Sequence, residues 1–242
     1  INHRSPIEMS YQAPFVDAAR SVDPVNRENT FVSYYTYGSV LGLALDLALR
    51  NMDNDLTLDG YMQLIWQKYG NPTQAYELSD LRTTLAQYAG AFFADFFFES
   101  FIYNAQQPNY QKGFENVGIS YEIQNSTTPF FGAMVSNIGG TFTLVSNPLE
   151  GTSSYQAGLS YGDVILEIGG KKMGSETSFN AFIRSHYLPG QVTNLIIERH
   201  GKTKSVPLEF KPYPQIILKL LSHAPAESQV LRQKWLDSKT SK

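Results

Sequence analysis

The hydrophobic period of this chain changes once, near its middle. Up to about residue 103, apolar residues return every three or four positions. From about residue 117 they return every second position, in short runs divided by glycine pairs. A period near 3.6 buries one face of a helix and a period of two buries one face of a strand. The chain is therefore expected to build a helical part first and a β-rich part second, an α + β protein. Its 242 residues fit one large domain or two ordinary ones. The polar stretch Asn104–Gly118, with Pro108 and Gly113, falls where the period changes. The expected organisation is a helical unit over 1–104, a linker over 105–116, a β domain over 117–213 and a tail over 214–242 with one short helix.

In the helical part, residues 32–50 are the strongest helix, with Leu41, Leu45, Ala48 and Leu49 on one face. Gly38, Gly42 and Ala44 would let a neighbouring helix come close. Thr57 or Asp55 opens a second helix that Gly70 closes, with Met62, Ile65, Trp66 and Tyr69 on one face. Glu77 or Ser79 opens a third, ended by Gly90, and Ala91–Tyr103 makes a fourth. Pro14–Arg20 reads as one short helix. Four helices at this spacing suggest a packed bundle. In the second half, strands are expected at Ile119–Ile123, Phe131–Asn137, Thr141–Val145, Asp163–Ile168, Asn194–Arg199 and Ser205–Phe210, with one helix at Phe179–His186. The tail has a helical stretch at Ser228–Leu236.

Several function classes are excluded or disfavoured. The net charge of −3 provides no electrostatic drive toward nucleic acid or an anionic membrane. There is no cysteine, hence no disulfide, thiolate metal site or thiol nucleophile. The longest apolar run, Ser39–Leu49, is too short to span a bilayer and contains Asp46. The chain begins at Ile1 with no basic-then-apolar leader, so any signal peptide is expected to be gone already. Asp53-Asn-Asp55 looks like the start of a calcium loop but lacks its later Gly and Glu, and reads as a solvated turn. Lys171, Lys172, Lys202 and Lys204 read as solvated hairpin charges. Nucleotide and nucleophile-elbow signatures are absent.

The run Tyr155-Gln-Ala-Gly-Leu-Ser-Tyr-Gly-Asp-Val-Ile-Leu-Glu-Ile-Gly-Gly170 carries Ala157, Gly158, Leu159, Gly162, Asp163, Ile165, Ile168 and Gly170 in the pattern A-G-L-x-x-G-D-x-I-x-x-I-x-G. It resembles a bacterial PDZ domain. The resemblance implies a groove in which an extended peptide, such as a protein C-terminus, adds as a strand beside a short helix. Phe179–His186 would be that helix. Phe130-Phe131-Gly132-Ala133 would be the loop whose N–H groups hold the peptide carboxylate. Phe131, Met134, Phe179, Phe182 and Ile183 would line the side-chain pocket, with Gly132 and Ala133 supplying the close backbone.

Read with this domain, the helical half resembles the C-terminal part of the glycyl aminopeptidase family, zinc metallopeptidases of the gluzincin type. The matching residues are Ser33-Tyr34-Tyr35-Thr36-Tyr37-Gly38, Leu45-Asp46-Leu47-Ala48-Leu49-Arg50, Trp66-Gln67-Lys68-Tyr69-Gly70, Asp80-Leu81-Arg82, Asp95-Phe96-Phe97 leading to Tyr103, and Leu231-Arg-Gln-Lys-Trp-Leu236. The resemblance implies that the helices are the C-terminal part of a thermolysin-like catalytic domain. It also implies that Tyr35 falls on the tyrosine that donates to the oxyanion of the tetrahedral intermediate, with Tyr37 where the family has lysine. The family's zinc is held by an H-E-x-x-H motif and a downstream Glu. This chain's histidines, His3, His186, His200 and His223, include no pair four residues apart. The chain itself is thus expected to hold no metal and to be inactive, a portion of a longer enzyme whose zinc lies elsewhere. The family and the lack of cysteine point to a periplasmic or exported bacterial protein. The alternative is a non-enzymatic PDZ scaffold that uses its helices for docking.

Overall fold

A computed structural model describes residues 4–18, 25–52, 55–173 and 178–237. In chain order the helices are α1 (Pro6–Ser10), α2 (Arg27–Thr30), α3 (Tyr34–Arg50), α4 (Leu58–Tyr69), α5 (Leu78–Ala89), α6 (Ala91–Phe97), α7 (Tyr110–Asn116), α8 (Ser153–Gln156), α9 (Phe179–His186) and α10 (Ala226–Leu236). Wide π-type turns cover Pro14–Ala18 and Phe98–Ile102. The strands are β1 (Ile119–Phe130), β2 (Val135–Ile138), β3 (Thr141–Leu144), β4 (Val164–Ile168), β5 (Lys171–Lys172), β6 (Val192–Arg199), β7 (Lys202–Glu209) and β8 (Lys211–Leu220). The chain divides into two compact units. The first is Ile1–Ala18, Val32–Glu122 and Ile217–Lys242; the second is Ala19–Phe31 and Ile123–Ile216. The helical-then-β architecture expected from the period is the one found.

The first unit is held by α3. Leu45 and Leu49 pack with Tyr61, Leu85, Ala94, Phe97 and Phe98 in one buried cluster. Leu47 packs with Phe114 and Val117, against which Tyr121, Leu231 and Trp235 lie. Asp46 interrupts the apolar run for a reason. One carboxylate oxygen accepts from Arg50 Nε at 3.0 Å and the other from the Leu58 amide at 2.9 Å, one of the free N–H groups at the start of α4. Thr57 caps that helix through Gly60 N, and the Thr57 amide donates to Tyr88 Oη at 3.1 Å. A Cβ at Gly60 would lie 2.2 Å from the Tyr88 hydroxyl, so only glycine admits this approach. The fourth expected helix, Ala91–Tyr103, is α-helical only as far as Phe97, where the wider turn begins. Residues 110–116 are helical too, because Phe114 is buried against α3's Leu47.

The second unit contains a six-stranded antiparallel sheet in the order β2-β3-β4-β6-β7, with β5 beside β4. Phe142, Leu144, Ile165, Ile168, Leu195, Ile197, Leu208 and Phe210 form its core with Phe179, Phe182 and Ile183 of α9. Asp163, 1% exposed, is a charged side chain buried beside this core. Its carboxylate accepts from Arg199 Nε and Nη2, both at 2.6 Å, and from the Ser160 amide at 2.8 Å. Arg199 Nη2 also donates to Gly158 O at 2.8 Å. The Gly-Leu-Ser-Tyr-Gly-Asp run is thereby tied to the end of β6. β1 and β8 pair as a separate two-stranded ribbon; β8 continues the strand pattern past Phe210 to Leu220.

Candidate functional site

The β unit has one free edge next to a helix. β2 pairs with β3 on one side only, and α9 packs beside it. Ahead of β2 runs the Phe130–Ala133 loop, pinned from behind by two buried serines. Ser153 Oγ donates to Phe130 O at 2.8 Å and Ser154 Oγ to Phe131 O at 2.6 Å, while the Leu149 amide donates to Gly132 O at 2.7 Å. Among the described residues, the Gly132 and Ala133 amides donate to no protein acceptor. The next amide, Met134 N, is taken by Ser146 Oγ at 3.0 Å. Gly132 has φ +89°, and a Cβ there would lie 2.2 Å from Thr152 Cβ, so the loop's shape needs glycine twice over. The result is a pair of neighbouring N–H groups at a groove mouth, an arrangement that suits a carboxylate.

A cavity of about 350 Å³ opens at this loop. Phe131, Gly132, Ala133, Met134 and Ile183 line it, together with Leu149 and Pro129. Phe179 and Phe182, expected in the same pocket, are buried in the core: Phe179 packs edge-on to Phe131 at 4.8 Å between ring centroids. Phe182 is stacked by His186 at 4.1 Å and carries Lys171 Nζ over its ring at 4.5 Å. Lys171 is thus more than a solvated hairpin charge. Sequence reading did not single out Ser153, Ser154 or Thr152 as loop supports, although a Ser-Ser pair two residues ahead of the A-G-L motif is visible in the sequence. It also missed Glu28, Asn180 and Arg184, which line the same cavity.

In the helical unit Tyr35 stands at the first turn of α3, 76% exposed, with its ring 4.7 Å from that of Tyr34. Tyr34, Tyr37, Tyr61 and Tyr11 line an apolar cavity of about 520 Å³ along α3 with Leu41 and Phe98. Tyr37 is buried, and that burial raises its phenol pKa, partly offset by a hydrogen bond with Gln107. Tyr35 is therefore the phenol that points outward, and Tyr37 the one that packs.

Among the described residues, no group of three or more His, Cys, Asp or Glu side chains comes together to hold a metal ion. His186 bonds within its own helix through Nδ1, and His200 occupies a turn at φ +52°. His3, Asp53 and Asn54 lie outside the described residues. Asp55 is engaged by Lys234 Nζ at 2.8 Å, a hydrogen bond that lowers its carboxyl pKa. The donor set present does not fit zinc, and no step of chemistry runs through zinc on these residues. No helix among the described residues is long and apolar enough to cross a membrane.

Residues 118–210 match the family model of the PDZ domain. The fold is similar over 97% of the chain to an aminopeptidase N family protein from Idiomarina loihiensis, with TM-score 0.75 and 24% identity, covering 40% of that chain. Local likenesses extend to an HtrA-type protease, AlgW, with a decapeptide (TM-score 0.34, 17% identity, 37% of this chain and 30% of that one). They extend also to a serine endoprotease from Yersinia pestis (TM-score 0.32, 17% identity, 36% and 30%). No curated protein matches the chain in sequence. The first likeness takes in the helical unit and the PDZ domain together, so this chain shares that two-part fold and spans less than half the length of the protein it resembles.

Proposed function

We propose that the chain recognises peptides through its PDZ groove and, as the C-terminal portion of a zinc-dependent aminopeptidase, supplies part of that enzyme's active-site wall. The observation that carries the peptide reading is the coincidence, at one cavity, of two unengaged amides at Gly132 and Ala133, the free edge of β2 and the flank of α9. An extended peptide would pair with the free edge through its main chain, set its terminal carboxylate on the two amides and place an apolar side chain against Phe131 and Ile183. Peptides ending in a free carboxylate should bind the immobilised chain, and their C-terminal amides should bind at least tenfold more weakly. Equal binding of both forms would remove the loop from recognition.

The peptidase reading draws support from the two-part fold and from the outward Tyr35 hydroxyl. A phenol keeps its proton at neutral pH and can donate it in a hydrogen bond. As a peptide carbonyl carbon becomes tetrahedral, its oxygen gains negative charge, and a fixed donor then stabilises the transition state more than the ground state. Tyr35 would be that donor, with Tyr34 holding its ring. The H-E-x-x-H motif with which such an enzyme holds zinc does not occur in this chain's sequence, so the isolated chain is expected to be inactive. Tyr35→Phe in the full-length enzyme should lower kcat about a hundredfold with little change in KM. An unchanged kcat would take Tyr35 out of the chemistry. An envelope or exported location would follow from the same reading, and cell fractionation tests it.

A further inference from the structure

The cavity at the Phe130–Ala133 loop is not built from residues 118–210 alone. Glu28 of α2 faces it, about a hundred positions upstream in sequence. α2 is fastened there by Asn29, which uses both ends of its amide. Nδ2 donates to Pro148 O at 2.8 Å, and Oδ1 accepts from the Glu150 amide at 2.9 Å. The Asn147 amide donates to Val25 O at 2.8 Å, and Asn26 Oδ1 steadies Asn29 Nδ2 at 2.9 Å. The clamped segment 147–150 is the one whose Leu149 amide holds Gly132 O. Residues 25–31 are thus fixed to the same loop that shapes the carboxylate cradle, and they set a carboxylate at the rim of an otherwise mostly apolar cavity. Glu28 is exposed. Arg184 faces the cavity from α9, and among the described residues no ion pair joins the two. Each charge is left available to a ligand.

We propose that residues 25–31 are a built-in wall of the peptide site, and that Glu28 gives it a preference for peptides carrying a cationic side chain close to their apolar C-terminal end. The proposal rests on the peptide reading above. A lysine or arginine near the seated terminus meets Glu28, whereas an acidic side chain there is repelled; on the α9 side Arg184 complements the terminal carboxylate. Because Glu28 and the ligand's cation are both solvent-accessible, the effect is a matter of selectivity, on the order of threefold in affinity. It shrinks as salt is raised.

The test uses the whole chain and labelled hexapeptides ending in valine with a free carboxylate, in which lysine or glutamate occupies in turn each of the three positions before it. Fluorescence anisotropy gives Kd for each. The lysine peptide at the best position should bind about threefold tighter than its glutamate counterpart. Glu28→Gln should abolish that preference, Glu28→Lys should invert it, and Asn29→Ala should weaken it by releasing the wall. Arg184→Gln should weaken both peptides alike. Binding with a lysine preference that survives Glu28→Lys, or with no preference at all, overturns the inference and leaves the peptide reading standing. If no hexapeptide of either series binds, the peptide reading fails and takes the inference with it.

Discussion

At Gly132 the loop carries two independent demands, a left-handed backbone and contact with Thr152. An alanine there meets a φ that L-residues avoid, at a cost of about 1–3 kcal/mol, and its Cβ overlaps Thr152 besides. Gly132→Ala should lower the β unit's stability by at least that amount in chemical denaturation and weaken binding of free-carboxylate peptides. Asp163 makes a second case. Its carboxylate is buried, and Arg199 meets it with two nitrogens. The same hydrogen bond raises the Arg199 pKa. Removing the guanidinium leaves a buried carboxylate without its partner, so Arg199→Ala should destabilise the β unit by about 3 kcal/mol. Asp163 was readable in the sequence as a motif member; that its partner is Arg199, 36 positions on, was not, because an ion pair between distant segments leaves no periodic trace. Tyr35 and Tyr37 show the same limit. Spacing alone could not say which phenol packs, since both sit in the first turn of α3 and only the neighbours decide.

At the scale of elements, α4 and α5 are joined by a phenol. Tyr61 is buried and donates through Oη to Leu81 O at 2.8 Å, and burial pushes its pKa up to about 12. A phenol held protonated in the folded chain gives its full stabilisation below its ordinary pKa of 10.0, and that stabilisation is lost as pH rises through about 12. The loss across that window is about 2 kcal/mol. The helical unit should therefore weaken above pH 10, followed by circular dichroism and phenolate absorbance, and Tyr61→Phe should make the weakening shallower. Tyr37 and Tyr110, whose pKa values burial also raises, account for the slope that remains. Element identity was largely legible: Thr57 starts α4, Glu77 starts α5, and α9 and most strands stand close to where alternation and glycine pairs put them, whereas β1 runs on from Ile123 to Phe130 and β2 begins only at Val135, not at Phe131. Less legible were α7 and the extension of β8. In α7 a polar, proline-flanked stretch hides one buried phenylalanine. In β8, Pro212 and Pro214 discourage a strand assignment, yet β8 pairs on a two-stranded ribbon where missing amides can face away from a partner.

For the whole molecule, sequence order and compact units do not coincide. Residues 25–31 precede α3 in the chain but fold with the PDZ-like unit through Val25 and Asn29. No hydrophobic period announces this, because the link is made by one side-chain amide and a backbone carbonyl. The expected consequence is local. In the intact chain, Asn29→Ala should speed hydrogen exchange at the Glu150 amide by roughly tenfold, about one hydrogen bond's worth, with little change in the amides of β6 and β7. Unchanged exchange at Glu150 would show that the clamp does not form in solution.

The edge strand β2 is only four residues long and ends at the Gly139-Gly140 turn. Such a stub offers few outward amides. It gives little purchase to a sheet from another copy, so the edge proposed to take a peptide is too brief to seed stacking between molecules when the protein is crowded.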